Sequence, residues 1–208
     1  MLWKSRQQAG EQLGRALKEY RKKPNTTILG LPRGGVIVAA EIARSLHLPL
    51  DIIVVRKIGA PFNEELAIGA IDETGHGFFN ANASGLFGLR KKYLQETISR
   101  EQKEAARRLR AYRGSRPPLD LTGETAILVD DGVATGHTMR AAISSCRSKG
   151  ATNVVVAVPV IAPDTIPLFE READKLVYLE APTYFSAVGQ FYKEFEQVED
   201  AEVKTALR

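Results

Sequence analysis

A chain of 208 residues, 44% hydrophobic and 26% charged with a formal net charge of +4, has the make-up of one globular domain able to bury a core, with room for a small appended subdomain. Its longest apolar run, 154–162, contains Pro159 and falls short of the ~18 residues of a membrane span, and MLWKSRQQ lacks the apolar stretch of a secretory signal, so a cytoplasmic location is expected. One cysteine, Cys146, excludes an intrachain disulfide, and the scattered His47, His76 and His137 offer no zinc-ligand spacing.

Residues 3–23 place Leu13, Ala16, Leu17 and Tyr20 at helical spacing, which predicts an amphipathic helix ended by Pro24 and Asn25. A strand, TTILGL (26–31), runs into the turn PRGG (32–35) and a helix over 36–47. One strand is expected over 50–58 (LDIIVVRKI), then a loop over 59–65, a strand over 66–72 and a short one over 77–80. Leu94, Ile98, Ala105, Leu109 and Tyr112 recur at helical spacing within 90–113, a long helix broken by Arg116-Pro117-Pro118. A strand (124–130), a loop (131–138) and a helix to about Lys149 follow. Then come a strand (153–161), a helix (163–172), a strand (175–180), and an aromatic tail closing on an acidic helix. Strands alternating with helices predict an α/β protein: a mainly parallel sheet with helices on both faces and ligands beyond the carboxyl ends of the strands. Two strand–turn–helix units carry glycine at that position, 30–36 and 130–138.

The second unit, ILVDDGVATGHT (127–138), carries the chemistry. Ile127, Leu128 and Val129 read as a buried strand end, and Asp130 and Asp131 follow where the sheet stops. Adjacent carboxylates there are costly unless a ligand or metal uses them. Gly132, Ala134, Thr135, Gly136 and Thr138 are small or hydroxylated, so the loop can turn N–H and hydroxyl donors toward an anion at a helix N-terminus. Acceptors for sugar hydroxyls beside donors for a phosphate suit a 5-phosphorylated ribose. A Walker A loop would need GxxxxGK[ST], and a dinucleotide fingerprint GxGxxG; GLPRGG (30–35) has neither spacing. A plain solvated Asp-Asp turn is the alternative.

These twelve residues resemble the phosphoribosyl pyrophosphate (PRPP) signature of the type I phosphoribosyltransferases: an apolar strand, two acids, and a loop ending Thr-Gly-x-Thr. The resemblance implies that fold as a single domain over 1–208, with a core of roughly 24–72 and 118–180 and a small hood of roughly 73–117 and 181–208. It implies that Asp130 and Asp131 contact the ribose hydroxyls, and that Gly132, Val133, Ala134, Thr135, Gly136, His137 and Thr138 hold the 5-phosphate. LPRGGV (31–36) matches the family's pyrophosphate turn, with Arg33 as the cation and Gly34-Gly35 allowing close backbone approach. VRKIGAP (55–61) is similar to the stretch that opens the mobile loop of adenine phosphoribosyltransferases, where Arg56 and Lys57 would help neutralise pyrophosphate. The order and length of the whole chain, including the tail APTYFSAVGQFY (181–192), are similar to uncharacterised bacterial members of this family.

The implied reaction replaces pyrophosphate at ribose C1 by a nitrogen nucleophile through a cationic ribose. Asp130, Asp131 and Arg33 are its expected catalytic residues, and Mg²⁺ enters with PRPP, Asp130 and Asp131 being its candidate protein ligands. Enzymes for 6-oxopurines carry a further Asp three residues after the acid pair; Ala134 stands there, which disfavours hypoxanthine and guanine. Glu64 and Glu65 are candidate bases, and Tyr184 and Phe185 candidate acceptor contacts, with Tyr192, Phe78 and Phe79 further hood aromatics able to stack on a flat base.

Ten basic residues against three acidic ones fall between Arg90 and Arg116. They read as a solvated helix face or part of a homodimer contact, or else as a nucleic-acid surface. The rival function is therefore a PRPP- or nucleotide-sensing regulator on the same fold. A hydrolase or inactive PRPP-binding relative is a third reading.

Overall fold

The computed structural model describes residues 3–60, 63–75, 77–79 and 91–208. Helix α1 (Arg6–Ala16) starts at Ser5, whose hydroxyl accepts from the Gln8 N–H, and tightens into a 3₁₀ turn at Lys18–Tyr20. Leu13, Leu17 and Tyr20 are buried as their spacing predicts, whereas Ala16, expected on the same face, is exposed.

Five strands form a fully parallel sheet: β1 (Thr26–Gly30), β2 (Leu50–Ile52), β6 (Thr125–Val129), β7 (Asn153–Val160) and β8 (Lys175–Glu180), in spatial order β2-β1-β6-β7-β8. The apolar runs of β6 and β7, at the middle of the sheet, are continuous because both faces are covered. In β6, Ala126 and Leu128 face one core while Ile127 and Val129 face the other; in β7, Val154, Val156 and Val158 divide from Val155 and Ala157 in the same way. The first core is closed by helix α4 (His137–Ser148), through Met139, Ala142, Ile143 and Cys146, and by Phe169 of helix α5 (Ile166–Glu172). The second is closed by α1 and by helix α2 (Gly34–Leu46), through Val38, Ala39, Ile42 and Leu46. The expected parallel sheet with helices on both faces is the fold of this chain.

The strand expected over 50–58 is two strands. β2 ends at Ile52, and β3 (Val55–Ala60) belongs to a separate antiparallel sheet with β4 (Asn63–Asp72) and β5 (Gly77–Phe79). No glycine or proline marks the break. Ile53 and Val54 are both buried but enter different cores, so the apolar run continues while the backbone changes sheet.

The long helix α3 (Lys91–Arg113) spans both parts. Leu94 and Ile98 pack on Ile58, Ile68 and Ile71 of the small sheet, whereas Ala105 and Tyr112 join Ile52 and the last helix, α6 (Asp200–Ala206), through Val203. Arg100, Arg107, Arg108 and Arg113 of this helix pair with carboxylates within the fold. Arg113, 7% exposed, grips Asp51 with two hydrogen bonds of 2.8 and 2.9 Å, and Arg107 and Arg108 both bind Glu104. Among the described residues, no helix is long and apolar enough to cross a membrane.

Candidate functional site

The two glycine-bearing turns meet because β1 and β6 are neighbours in register from Thr26↔Thr125 to Gly30↔Val129. Both strands therefore end at one level, and each feeds a helix directly: β1 through Leu31-Pro32-Arg33 into α2, β6 through 130–136 into α4. The contact between them is tight. A β-carbon on Gly35 would lie 2.7 Å from the Val129 carbonyl oxygen and 2.8 Å from the Asp130 Cα. The glycine pair, expected to admit a ligand's phosphates, is thus also required for the two turns to touch. Gly136 has a second reason to be glycine: its φ is +75°, and a β-carbon would lie 2.8 Å from the Phe169 ring.

Two cavities open at this end of the sheet. One of about 190 Å³ is bounded by Asp130, residues 132–139, Lys57 and Val188. The other, about 380 Å³, lies between Pro32, β3 and α3 and is lined by Arg56, Lys57, Arg100 and Arg108 with one carboxylate, Glu101. Lys57 and Thr138 belong to both, so the two spaces adjoin. The first offers loop N–H groups, two threonines and a helix start; the second is strongly cationic. A wider cavity of about 800 Å³ between α2 and α6 contains none of these residues.

The two aspartates differ. Asp130 lines the smaller cavity, and its Oδ1 accepts the Asp131 N–H at 2.9 Å. Burial, then the Asp131 charge, pushes the Asp130 carboxyl well above the usual range. Asp131 points the other way, onto Arg6, whose Nε donates to Oδ2 at 2.8 Å. Burial also raises Asp131, and the Arg6 charge and hydrogen bond oppose that rise. Tyr192, only 5% exposed, donates its hydroxyl proton to the Asp131 carbonyl oxygen at 2.6 Å. His137 opens α4 with Nδ1 3.0 Å from the Thr135 hydroxyl; burial, then Arg140 and Lys57, lowers its pKa.

Of the residues expected from the sequence, Asp130, Gly132, Val133, Ala134, Thr135, Gly136, His137, Thr138 and Lys57 line one cavity, and Arg56, Lys57 and Thr138 the other. Gly34 and Gly35 stand behind the acid pair. Arg33 lines neither cavity: its guanidinium faces α6, with Nη1 3.8 Å from Asp200 and 4.0 Å from Glu199. Arg56 is held on Glu101 at 2.9 Å. Tyr184 is 87% exposed, Phe185 packs against Phe191 at a tilt with centroids 5.3 Å apart, and neither aromatic lines these two cavities. The side chains of Glu64, Glu65, Phe78 and Phe79 lie outside the described residues. Arg6, Val188 and Arg108 were not expected at the site; each comes from a segment remote in sequence, with no local motif to announce it.

The phosphoribosyl transferase domain model matches residues 4–193. Two Mycobacterium tuberculosis proteins named as presumptive phosphoribosyl transferases, from strains CDC 1551 and H37Rv, are each 43% identical over 206 residues, 99% of this chain. The chain spans about half the length of these relatives, 46%. The crystal structure of TT1426 from Thermus thermophilus is 40% identical and superposes with a TM-score of 0.85, covering 100% of this chain and 98% of that one. A Neisseria gonorrhoeae protein solved with bound ppGpp shares the fold at a TM-score of 0.50 and 12% identity, over 99% of this chain and 94% of that one. The sheet order, the paired turns and these likenesses together make the chain a member of the phosphoribosyl transferase domain family.

Proposed function

We propose that the chain transfers the 5-phosphoribosyl group of PRPP to a nitrogen acceptor and releases pyrophosphate. The observation that carries this reading is the pair of adjoining cavities, one donor-rich with Asp130 at its wall, the other cationic beside the PRGG turn. The 5-phosphate would sit on residues 132–138, the ribose hydroxyls at the acid pair, and the pyrophosphate between Pro32, Lys57 and the arginines of β3 and α3. Charge developing on the departing pyrophosphate would meet fixed cations there, which is how such sites lower a barrier. Arg33 would serve this end only by leaving its long contacts to Glu199 and Asp200.

Mg²⁺ fits the donors present. Asp130, at the cavity wall, would offer it a carboxylate oxygen whose charge a hard cation stabilises beside Asp131, while Asp131 would join only by leaving Arg6. Among the described residues, no group of three or more His, Cys, Asp or Glu side chains could hold a metal unaided, so the ion would be shared with the phosphates of PRPP. When bound it would neutralise the leaving pyrophosphate. The acceptor is read as nucleobase-like, and the absence of a carboxylate at Ala134 argues against a 6-oxopurine. A cytoplasmic homodimer with the core and hood divided as above completes the reading.

The test is incubation with PRPP and Mg²⁺ against a panel of bases and amines, following pyrophosphate release. Release with one acceptor class supports the transferase. Release without any acceptor points to hydrolysis, and PRPP binding without release to the sensing regulator.

A further inference from the structure

We infer that Arg6 is a positioning residue of this site, acting on the ribose-binding carboxylates through Asp131. The inference rests on the PRPP reading above and adds to it a residue from outside both glycine turns. Arg6 lies in the first turn of α1, 125 positions before its partner. Its Nε donates to Asp131 Oδ2 at 2.8 Å, and Nη1 donates to the Glu196 carbonyl oxygen at 2.9 Å. The flat face of the guanidinium lies 3.9 Å from the centroid of Phe195, whose ring stacks on Tyr192 with centroids 5.1 Å apart. Tyr192 returns to the same aspartate through its main-chain carbonyl. Side chain and main chain of Asp131 are thus tied separately, one by the N-terminal helix and one by the tail.

Burial decides what this tie does. The Arg6 and Asp131 side chains are 11% and 15% exposed, so their attraction is poorly screened, and the carboxylate would be costly there without a cation. An arginine suits the position better than a lysine: its rigid planar fork reaches two separated acceptors at once while its plane stacks on a ring. With Asp131 Oδ2 held on Arg6 beside Gly34, the Asp131 N–H is aimed at Asp130 Oδ1. Asp130 is thereby fixed at the cavity wall before any ligand arrives. The ligand chemistry that this serves is a vicinal diol on a phosphorylated sugar, bound with a divalent cation. Inorganic phosphate, which needs only the loop 132–138, does not draw on the tie.

Titration calorimetry with Mg²⁺·PRPP and, separately, with inorganic phosphate tests this on the full chain. Arg6→Met is expected to weaken Mg²⁺·PRPP binding at least tenfold and leave phosphate affinity unchanged. Arg6→Lys, which keeps the charge but lacks the planar fork that spans Asp131 and the Glu196 carbonyl while stacking on Phe195, is expected to recover part of that loss, and serves alone should the methionine variant not fold. In an Asp131→Asn background, Arg6→Met should add little, since both changes cut the same link. Wild-type PRPP affinity in Arg6→Met, equal losses for PRPP and phosphate in both Arg6 variants, or full additivity with Asp131→Asn would each overturn the inference. If the unmutated protein binds phosphate but not PRPP, the PRPP reading itself fails.

Discussion

A β-carbon on Gly34 would fall on the Asp131 carboxylate and lie 2.8 Å from Arg6 Nε. The turn after β1 thus has its shape set by a side chain of the turn after β6. Gly34→Ala must displace the carboxylate or the turn. The expected cost is about 1–3 kcal/mol, as for overpacking elsewhere, together with loss of Mg²⁺·PRPP affinity of about tenfold, equivalent to about 1.4 kcal/mol. Thermal unfolding and calorimetry on the same variant check both numbers, and unchanged values would mean the turns are looser than their contact implies.

Asp130 is expected to trade stability for binding. Burial and the neighbouring Asp131 charge oppose its ionisation, so at neutral pH the fold bears the cost either of a buried charge or of taking up a proton. Asp130→Asn removes that cost. Its unfolding midpoint should rise, by roughly 2–4 °C for each kcal/mol regained in a chain of this size, while Mg²⁺·PRPP binding is lost. A lowered midpoint would show that the carboxylate stabilises the turn.

His137 supplies a pH dependence with a definite sign. Its folded pKa is depressed by burial and then by Arg140 and Lys57, so the unfolded chain takes up the proton first as pH falls. Stability should therefore decline as pH drops through about 6.5, the ordinary histidine value, and the decline should end below the depressed folded value. His137→Gln should flatten this limb of a stability–pH curve measured by urea unfolding. A bound phosphate favours the protonated ring, so proton exchange on binding inorganic phosphate at about pH 6.5 should be shifted toward uptake in the unmutated protein relative to the glutamine variant.

Asp72 joins the small sheet to α4. It is fully buried, accepts the Ser145 hydroxyl at 2.5 Å and the Thr74 N–H at 2.8 Å, and stands 3.4 Å from Lys149 Nζ. Burial raises its pKa, but the Ser145 and Thr74 hydrogen bonds and the Lys149 charge outweigh it, leaving the pKa lowered. This contribution is present above the unfolded value of about 3.9, that of a free aspartate, and is lost as pH falls through the lower folded one. Ser145→Ala should cost about 1–3 kcal/mol, the penalty of a buried acceptor left short of a partner, and should bring acid unfolding to higher pH. Circular dichroism across the acid range, roughly pH 2–5, reads the difference.

The parallel sheet, its covering helices and the loop 130–138 were legible in the sequence because each rests on local information. β6 and β7 are apolar along nearly their whole length, which only a doubly covered strand tolerates, and the residues after β6 change at once from apolar to acidic to small. The split of 50–58 into β2 and β3 was not legible, because Ile53 and Val54 are as apolar as their neighbours while belonging to different cores. The places of the tail aromatics were not legible for a related reason. Tyr184 and Phe185 look alike as stacking candidates, yet one is exposed and the other lies against Phe191. Val188, an aliphatic residue with no such signal, is the part of the tail that lines the loop cavity.

What the sequence alone determined is which turns make up the candidate site, since strand, acids, glycines and helix start are consecutive and their order dictates where donors and acceptors fall. What only the tertiary structure decided is how those turns are held and divided. The register of β1 on β6 sets Gly34 against Asp131, Arg6 arrives from 125 positions away to neutralise that aspartate, and Asp130 alone of the pair is left at the cavity wall. Burial is the physical reason: two identical neighbours along the chain acquire different partners and different charge environments once the fold removes water from around them.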